Sequence, residues 1–512
     1  MRITRVRFRS LPLLTSVAVT LAAPGPAAAE TLREALARAY RDNPTLTGQR
    51  AAQRANDESV AIARAAGRPS LTGQGAFTDN FVRGGNSFTT PERRVDAAVN
   101  LTVPLYQGGR VRNGVLAAET RVEAGRANLR GVEATTFTDV VSAYNNVLRD
   151  EAIVGLNTQN VRVLDTNLRA SRDRFEVGDL TRTDVAQSEA RLSLARAQLQ
   201  SAQATLISSR ENYVRLVGAP PGTLEPPPPL PGLPGTADGA VDVALRDNPN
   251  LIAARRVRDA TGYDVRVARA GRLPQVGLTA GQNYFNYLGT LGRGTAGGLG
   301  SEQTGTSTSG GVSLSIPLFQ GGRVGAQVRQ AQELRGQAIE QATAAERQVI
   351  SSARSAYAVW RSSLEVIASA EAAVNANKLS LEGVRAENSV GTRTVLDILN
   401  AEQELLNSQV TLVSARRDAY VAGFALLAAM GHAEAEDLGL DGGALYDPTI
   451  NYRAVRGRLN DWDNGERAAP VASSTADSAA QDATVTRPLD PLLESNVDRT
   501  PALTTGVDTP RP

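Results

Sequence analysis

The sequence predicts a membrane protein of mixed α and β structure built by tandem duplication, each half carrying a β-hairpin followed by a hairpin of unequal helices. Three observations predict it. The stretch Val103-Pro104-Leu105-Tyr106-Gln107-Gly108-Gly109-Arg110-Val111 returns as Ile316-Pro317-Leu318-Phe319-Gln320-Gly321-Gly322-Arg323-Val324. In both copies a two-residue alternation leads in and a long helical periodicity leads out. Each half also offers two strand-like runs of roughly 10 residues, the length a tilted strand needs to cross a bilayer's hydrocarbon core. The repeated stretch is thus a strand-to-helix junction used twice. Its proline, lacking a backbone donor, is expected to stop the strand ladder, and its Gly-Gly to let the chain bend before helix resumes.

Taken in chain order, residues 1–29 have the form of a signal peptide. Arg2, Arg5, Arg7 and Arg9 precede the apolar run Leu11 to Ala23, and cleavage is expected after Ala29. No later apolar run approaches the roughly 20 residues of a spanning helix. The first repeat, residues 30–239, opens on a helix from Leu32 that meets Asn43-Pro44; the second, residues 240–446, answers with Val241 to Leu245 and Asn248-Pro249. Pro249 follows Pro44, and Pro274 follows Pro69, by 205 residues, whereas Pro317 follows Pro104 by 213. Eight residues have therefore entered the second hairpin, and the long polar loop Gly289 to Gly311 is expected to hold them.

The hairpin strands are expected at Leu71 to about Val82, Val95 to Val103, Val276 to about Leu288, and Val312 to Ile316. Val95, Ala97, Val99, Leu101 and Val103 alternate with polar or small residues, as do Val312, Leu314 and Ile316, so one face is apolar and the other polar. Beyond each Gly-Gly, Val111, Val115, Ala118, Val122, Gly125, Leu129 and Val132 step by four and three, and Val324, Val328, Ala331, Ala338, Ala342, Ala345 and Val349 do likewise. A helix from about 110 to 176 would be on the order of 100 Å long. Gly114, Gly125, Gly131 and Gly155 fall inside it, each weakening a helix interior.

The turn that follows is also duplicated. Val177-Gly178 and Val390-Gly391 close the long helices, and Thr181 and Thr394 open shorter return helices, each with an aspartate three residues on, Asp184 and Asp397, placed to complete a capping box. A proline-rich segment, Pro220 to Pro234, links the halves. Residues 447–512 form a C-terminal extension rich in Ser, Thr, Asp and Pro, expected to be disordered beyond about 465.

Composition narrows the function. The chain of 512 residues has 55 basic and 53 acidic side chains, a net charge of +2, and no basic stripe beyond its N-terminus, so nucleic acid is not an expected partner. It has no cysteine, which excludes disulfides, thiolate chemistry, Cys-ligated metal and a lipid-anchored Cys. Its one histidine, His432, lies just past a helical pattern and reads as a surface or capping residue. The phosphate-loop, zinc-hydrolase and nucleophile-elbow patterns are missing, and Gly108-Gly109 and Gly321-Gly322 lack a phosphate fingerprint. No enzyme, cofactor or metal is expected.

Across residues 31–446 the linked Asn-Pro, Pro-Leu-(Tyr/Phe)-Gln-Gly-Gly and Val-Gly motifs, each present twice, resemble the TolC family of outer-membrane efflux proteins. The resemblance implies a homotrimer in which each chain gives four strands to one 12-stranded barrel in the outer-membrane lipid, continuous with a long periplasmic α-helical barrel. Four strands cannot close a channel alone, and the smallest barrels need about eight, so sharing between chains is also what the strand count requires. The implied function is a passive exit duct of a tripartite efflux or type I secretion system, docked on a periplasmic adaptor protein and an inner-membrane pump, with drugs, metals or a secreted protein as cargo. A periplasmic coiled-coil scaffold, merely anchored in the outer membrane, is the alternative. The resemblance also implies a periplasmic gate, with Asp397 at the constriction and Arg393 tethering Thr183 and Asp184 of a neighbouring hairpin. The turns at Val177, Gly178, Val390 and Gly391 would dock the adaptor. A second acidic ring of the family falls here on Asn400, which weakens the case for cation selectivity.

Overall fold

The computed structural model describes residues 30–81, 91–291, 302–440, 445–465 and 469–494; the expected signal peptide lies outside them. The first half runs α1 (Leu32–Asp42), α2 (Pro44–Ala65), β1 (Ser70–Asp79), β2 (Arg93–Gln107), α3 (Arg110–Glu176) and α4 (Arg182–Val217). The second repeats it as α5 (Ala237–Asp247), α6 (Pro249–Ala270), β3 (Gln275–Asn286), β4 (Thr304–Ser315), α7 (Arg323–Ser389) and α8 (Val395–Met430), and α9 (Thr449–Val455) follows.

Each half thus has two helices before its hairpin where the sequence suggested one. The asparagine before the proline is the reason. Asn43 leaves helical geometry and its Oδ1 accepts from the backbone N–H groups of Thr45 and Leu46, while Pro44 fills a first-turn position that needs no donor. Its Nδ2 donates 2.9 Å to the carbonyl of Leu216, pinning the joint to the end of α4. Asn248 repeats all of this, donating 2.9 Å to the carbonyl of Ala429 at the end of α8.

The strands form one antiparallel sheet in the order β1-β2-β3-β4. Leu71 pairs with Leu101, Val103 with Leu278, Leu278 with Val312, and Val276 with Leu314, which gathers the apolar residues on one face. Thr72, Asn100, Thr102, Thr279, Ser309 and Ser313 line the other. Both β1 and β4 are edges, and no strand among the described residues pairs with their outer sides. Pro104 does not stop its strand. β2 continues to Gln107 because β1 has already ended opposite Thr102, and a bulge at Leu105 lets the pairing with β3 resume at Tyr106 and Val276. In the second half the strand does end before Pro317. The inserted residues are not all in the loop either: β3 runs two residues further than β1, β4 starts two earlier than the equivalent point of β2, and only the remainder lengthens the connection.

Gly109 and Gly322, at φ 78 and 80°, turn the chain from sheet into helix. The helices they start are each 67 residues long without a break, about 100 Å. Three of the interior glycines of α3, Gly125, Gly131 and Gly155, sit where neighbours press on the helix, whereas Gly114 faces open space. A Cβ at Gly125 would fall 2.2 Å from Gln53 Oε1, and one at Gly131 would fall 2.6 Å from Asn250 Oδ1, so they mark the close approach of α2 and α6 to α3.

Below the sheet the helices lie in the lateral order α2, α3, α6, α7, and further down α4, α3, α8, α7. The core is thickest at the waist between these two levels, where α1, the linker and residues 433–440 wrap the helices around Phe137, Tyr144, Tyr213 and Phe424. The Tyr144 hydroxyl lies 2.8 and 2.7 Å from the carbonyls of Glu30 and Glu225, tying the chain's start and the linker to α3.

The C-terminal extension is a correction. Residues 469–494 were expected to be disordered but run along the helices: Arg210 grips Asp482, Leu489 sits on Gly155, Arg416 pairs with Asp490, and Leu493 is buried. Lys378 and Gln409 donate to backbone carbonyls of Leu492, Leu493 and Glu494. Composition hides this because the anchors are backbone acceptors, two aspartates and two leucines rather than an apolar run.

Candidate functional site

The two helix-hairpin turns form the free end of the molecule opposite the sheet. At the first, Val177 ends α3, Gly178 (φ 84°) reverses the chain, and Thr181 caps α4. Asp184 N–H donates to Thr181 Oγ1 at 3.3 Å, and Asp184 Oδ2 accepts the Thr181 N–H at 2.9 Å. The second turn copies it through Val390, Gly391 (φ 82°), Thr394 and Asp397, with the same distances of 3.3 and 2.9 Å. Both aspartates are therefore capping-box acids, and the threonine hydroxyl and N–H that they accept hold both carboxyls below the usual carboxylate range. They remain ionised well into acid. Val177 and Val390 are exposed apolar side chains at the two apices.

Arg393 is exposed and pairs with Glu387 on its own hairpin, Nε to Oε2 at 2.7 Å; within the protomer it touches neither Thr183 nor Asp184. Asn388 Nδ2 donates 2.7 Å to the Arg393 carbonyl, so the backbone that carries the guanidinium is held while the side chain is solvated.

Just above the turns lie contacts that sequence reasoning missed. Glu402 of α8 is buried and pairs with Arg385 of α7 at 2.8 Å, and it accepts from Asn167 of α3 at 2.9 and 3.1 Å. Asn400, one turn above Asp397, accepts 2.7 Å from Arg191 of α4. Arg385–Glu402 spans the two arms of one hairpin, while Asn167–Glu402 and Arg191–Asn400 cross from one helix hairpin to the other. The crossing partners stand 235 and 209 residues apart, on helix faces that only the lateral order brings together, so no local spacing announces them. An ion pair removed from water with its remaining acceptor sites filled is costly to break, by about 3 to 5 kcal/mol if one partner is lost.

At the waist His432 Nε2 lies 3.2 Å from Asp247 Oδ2, beside the joint that Asn248 pins. Among the described residues no group of His, Asp or Glu side chains is arranged to hold a metal ion, and no helix is long and apolar enough to cross a membrane.

A family model described as outer membrane efflux protein matches residues 35–219 and 240–432, which follow the two structural halves. The chain is 37% identical to the outer membrane efflux protein BepC of Brucella suis over 456 residues, covering 88% of this chain and 96% of that one. It is 28% identical to the outer membrane protein TolC of Escherichia coli over 423 residues, 80% of this chain and 84% of that one. Among solved structures, the outer membrane protein VceC from Vibrio cholerae superposes with a TM-score of 0.66 at 22% identity, covering 78% of this chain and 96% of that one. The CmeC outer membrane channel of Campylobacter jejuni gives 0.68 at 16%, covering 84% and 90%.

Proposed function

The chain belongs to the outer membrane efflux protein family, and from that premise we propose how its free end works as a gate and a docking site. It is an outer-membrane exit channel, a trimer whose strands build one β-barrel and whose helices continue it as a tube across the periplasm. The observation that carries the reading is the sheet with two uncovered edges standing on 67-residue helices. Such edges persist in a bilayer only when copies of the chain close them.

The gate lies at the helix-hairpin turns. Arg191–Asn400 and the Arg385–Glu402–Asn167 group bind the two hairpins of one protomer into a unit, so the mouth opens between protomers and not within one. Arg393 shares its charge between Glu387 of its own hairpin and Asp184, beside Thr183, of the neighbour, and three symmetric copies hold one aperture shut. Asp397, ionised even in acid, lines the constriction. The apices at Val177-Gly178 and Val390-Gly391 present apolar side chains to a periplasmic adaptor, which couples the duct to an inner-membrane pump.

Single-channel recording in planar bilayers tests the reading. Purified protein should conduct, and a protein that assembles in the bilayer yet passes no current would make it an anchored scaffold instead. Arg393→Ala should raise conductance, Asp184→Ala should do the same, and the double variant should add little because both remove one contact. Asp397→Ala should alter ion selectivity more than open probability. If Arg393→Ala leaves conductance at the wild-type level, the tether is elsewhere.

A further inference from the structure

Between the waist and residue 469 the C-terminal extension makes an excursion that neither the duct nor the gate uses. It climbs α2 toward the sheet. Asn451 Nδ2 donates 3.0 Å to Asp57 Oδ2, Arg64 donates 3.1 Å to the carbonyl of Arg456, and Arg68 donates 2.6 Å to the carbonyl of Arg458. These partners advance in step along α2, and Arg68 stands two residues before Ser70, the first residue of β1. There the chain turns. Asn460 Oδ1 accepts the Trp462 N–H at 3.0 Å, and Asp463 Oδ1 accepts the Gly465 N–H at 3.1 Å, two successive Asx turns. By Ser473 it is back at the waist beside Gly218. The apex of the excursion carries Leu459, 76% exposed, and Trp462, 90% exposed.

A tryptophan and a leucine held out by a turn at the foot of a membrane sheet need an apolar partner. The level supplies it. Leu105, Tyr106, Leu318 and Phe319, which precede the glutamine before each Gly-Gly bend, are exposed apolar side chains at the same rim, so the apolar band of the sheet reaches down to where the turn sits. Arg453, Arg456 and Arg458 follow one another on the approach, and Arg458 is held 3.5 Å from Asp463 across the turn. Asp461 and Asp463 flank the indole and Asp463 takes up Arg458, which leaves Arg453 and Arg456 on the approach. An indole at the edge of an apolar band with arginines beside it is the chemistry of a membrane–water interface, where the ring takes the headgroup level and cations meet lipid phosphates.

We propose that the turn Leu459–Asp463 is a second membrane contact of this protein: Trp462 and Leu459 insert into the periplasmic leaflet of the outer membrane beside the barrel, with phospholipid as the partner. The barrel holds the protein across the bilayer; this turn holds the top of the helical tube against its inner surface.

The chain has two tryptophans, and the other, Trp360, packs on Tyr357 and Gly423 at the waist, far from lipid. Tryptophan emission of the trimer, reconstituted in phosphatidylethanolamine–phosphatidylglycerol vesicles, is compared with and without lipids brominated near the headgroup. The expected result is a loss of about a third to a half of the emission in wild type, a larger fractional loss in Trp360→Phe, where only Trp462 emits, and no loss in Trp462→Phe. Emission unaffected by bromine in wild type overturns the proposal, whether it is red-shifted, placing Trp462 in water, or blue-shifted, placing it under a neighbouring protomer. Equal quenching in wild type and Trp462→Phe overturns it too.

Discussion

Arg50 and Glu133 occupy the places in the first half that Arg255 and Glu346 occupy in the second, yet the two pairs live differently. In the second half the charges meet directly, Arg255 to Glu346 at 3.2 Å, in a partly solvated pair. In the first half the guanidinium of Arg50 lies 4.2 Å from the ring centre of Tyr40 and 5.1 Å from that of Tyr446, and Glu133 accepts the Ala435 N–H at 2.7 Å. Tyr40 has Leu245 as its counterpart, and Tyr446 and Ala435 belong to the chain beyond α8. A duplicated backbone thus diverges where a third segment covers one copy. Burial rather than sequence then decides what the same two residues do.

The long helices show the same divergence on a larger scale. Among the described residues α3 buries 25 residues and α7 nine, although both are 67 residues long. α3 lies inside the protomer and α7 at its edge. Where α3 has Arg121, Asn146 and Thr166, α7 has Leu334, Val359 and Leu379, all exposed. In α3 these positions serve the protomer: Arg121 pairs with Asp264 and Asn146 accepts from Arg417. The exposed apolar equivalents in α7 are what packing against a next protomer would require.

The comparison can be broken in four places. The largest effect is expected at the helix ends. Gly218 and Gly431 both have φ near 87°, but a Cβ on Gly431 would meet the Asp247 carbonyl oxygen at 2.5 Å, whereas one on Gly218 would meet nothing closer than 3.9 Å. Gly431→Ala should cost about 3 kcal/mol or more, from left-handed strain plus a backbone clash, and Gly218→Ala about 1 to 2. Thermal melts that rank them equally would show that the two joints are packed alike.

Next comes the membrane face. Val99→Arg, midway along central β2, should cost about 2 to 4 kcal/mol near the bilayer midplane and block assembly, Leu314→Arg, level with Tyr106 at the rim, should cost about 0 to 1, and Ser313→Arg, on the polar face, should be tolerated. Outer-membrane fractionation reads this out, and equal loss from all three would reverse the faces. The third test is Leu379→Asp against Thr166→Asp. Leu379 is 70% exposed in the protomer, and burying it at a boundary contributes about 1.5 to 3 kcal/mol per copy. The first should shift trimer toward monomer in native mass spectrometry and the second should not.

The smallest effect is electrostatic. Burial pushes the Glu133 carboxyl up to about 7, opposed by the Ala435 N–H and by Arg50 and Arg130 and reinforced by Glu434. An acid whose folded pKa exceeds its unfolded value favours folding at low pH, so this benefit is full below about 4.5 and is lost as pH rises through 7. Glu133→Gln should therefore be more stable than wild type by about 1 to 3 kcal/mol at pH 8 and indistinguishable at pH 4.

The sequence made the duplication, the hairpin faces and the ends of α3 legible, because each rests on local signals: a repeated nonapeptide, a two-residue alternation, a Gly-Gly and a Val-Gly. The capping boxes at Thr181 and Thr394 were legible too, since partners three residues apart need no tertiary knowledge. What was hidden needed partners from afar. The Asn-Pro joints depend on carbonyls of Leu216 and Ala429, Pro104 is tolerated because of where β1 ends, and Glu402 finds Arg385 and Asn167 only once the helices stand in order. The docked extension was least legible of all.

The equal helix lengths carry one more consequence. Both long helices have 67 residues and both return helices 36, so the molecule measures the same distance twice, and both tips finish level. The pair works as a gauge. Each added residue would lengthen a rod by about 1.5 Å and swing its far end by about 100°, so an insertion confined to one half would tilt the mouth and misalign every contact below it. Only paired insertions of whole turns, about 11 or 18 residues in each rod, would keep the faces aligned while changing the reach. The width of the gap such a tube can bridge is therefore graded in coarse steps, and a wider periplasm would have to be met by its partners rather than by stretching this chain.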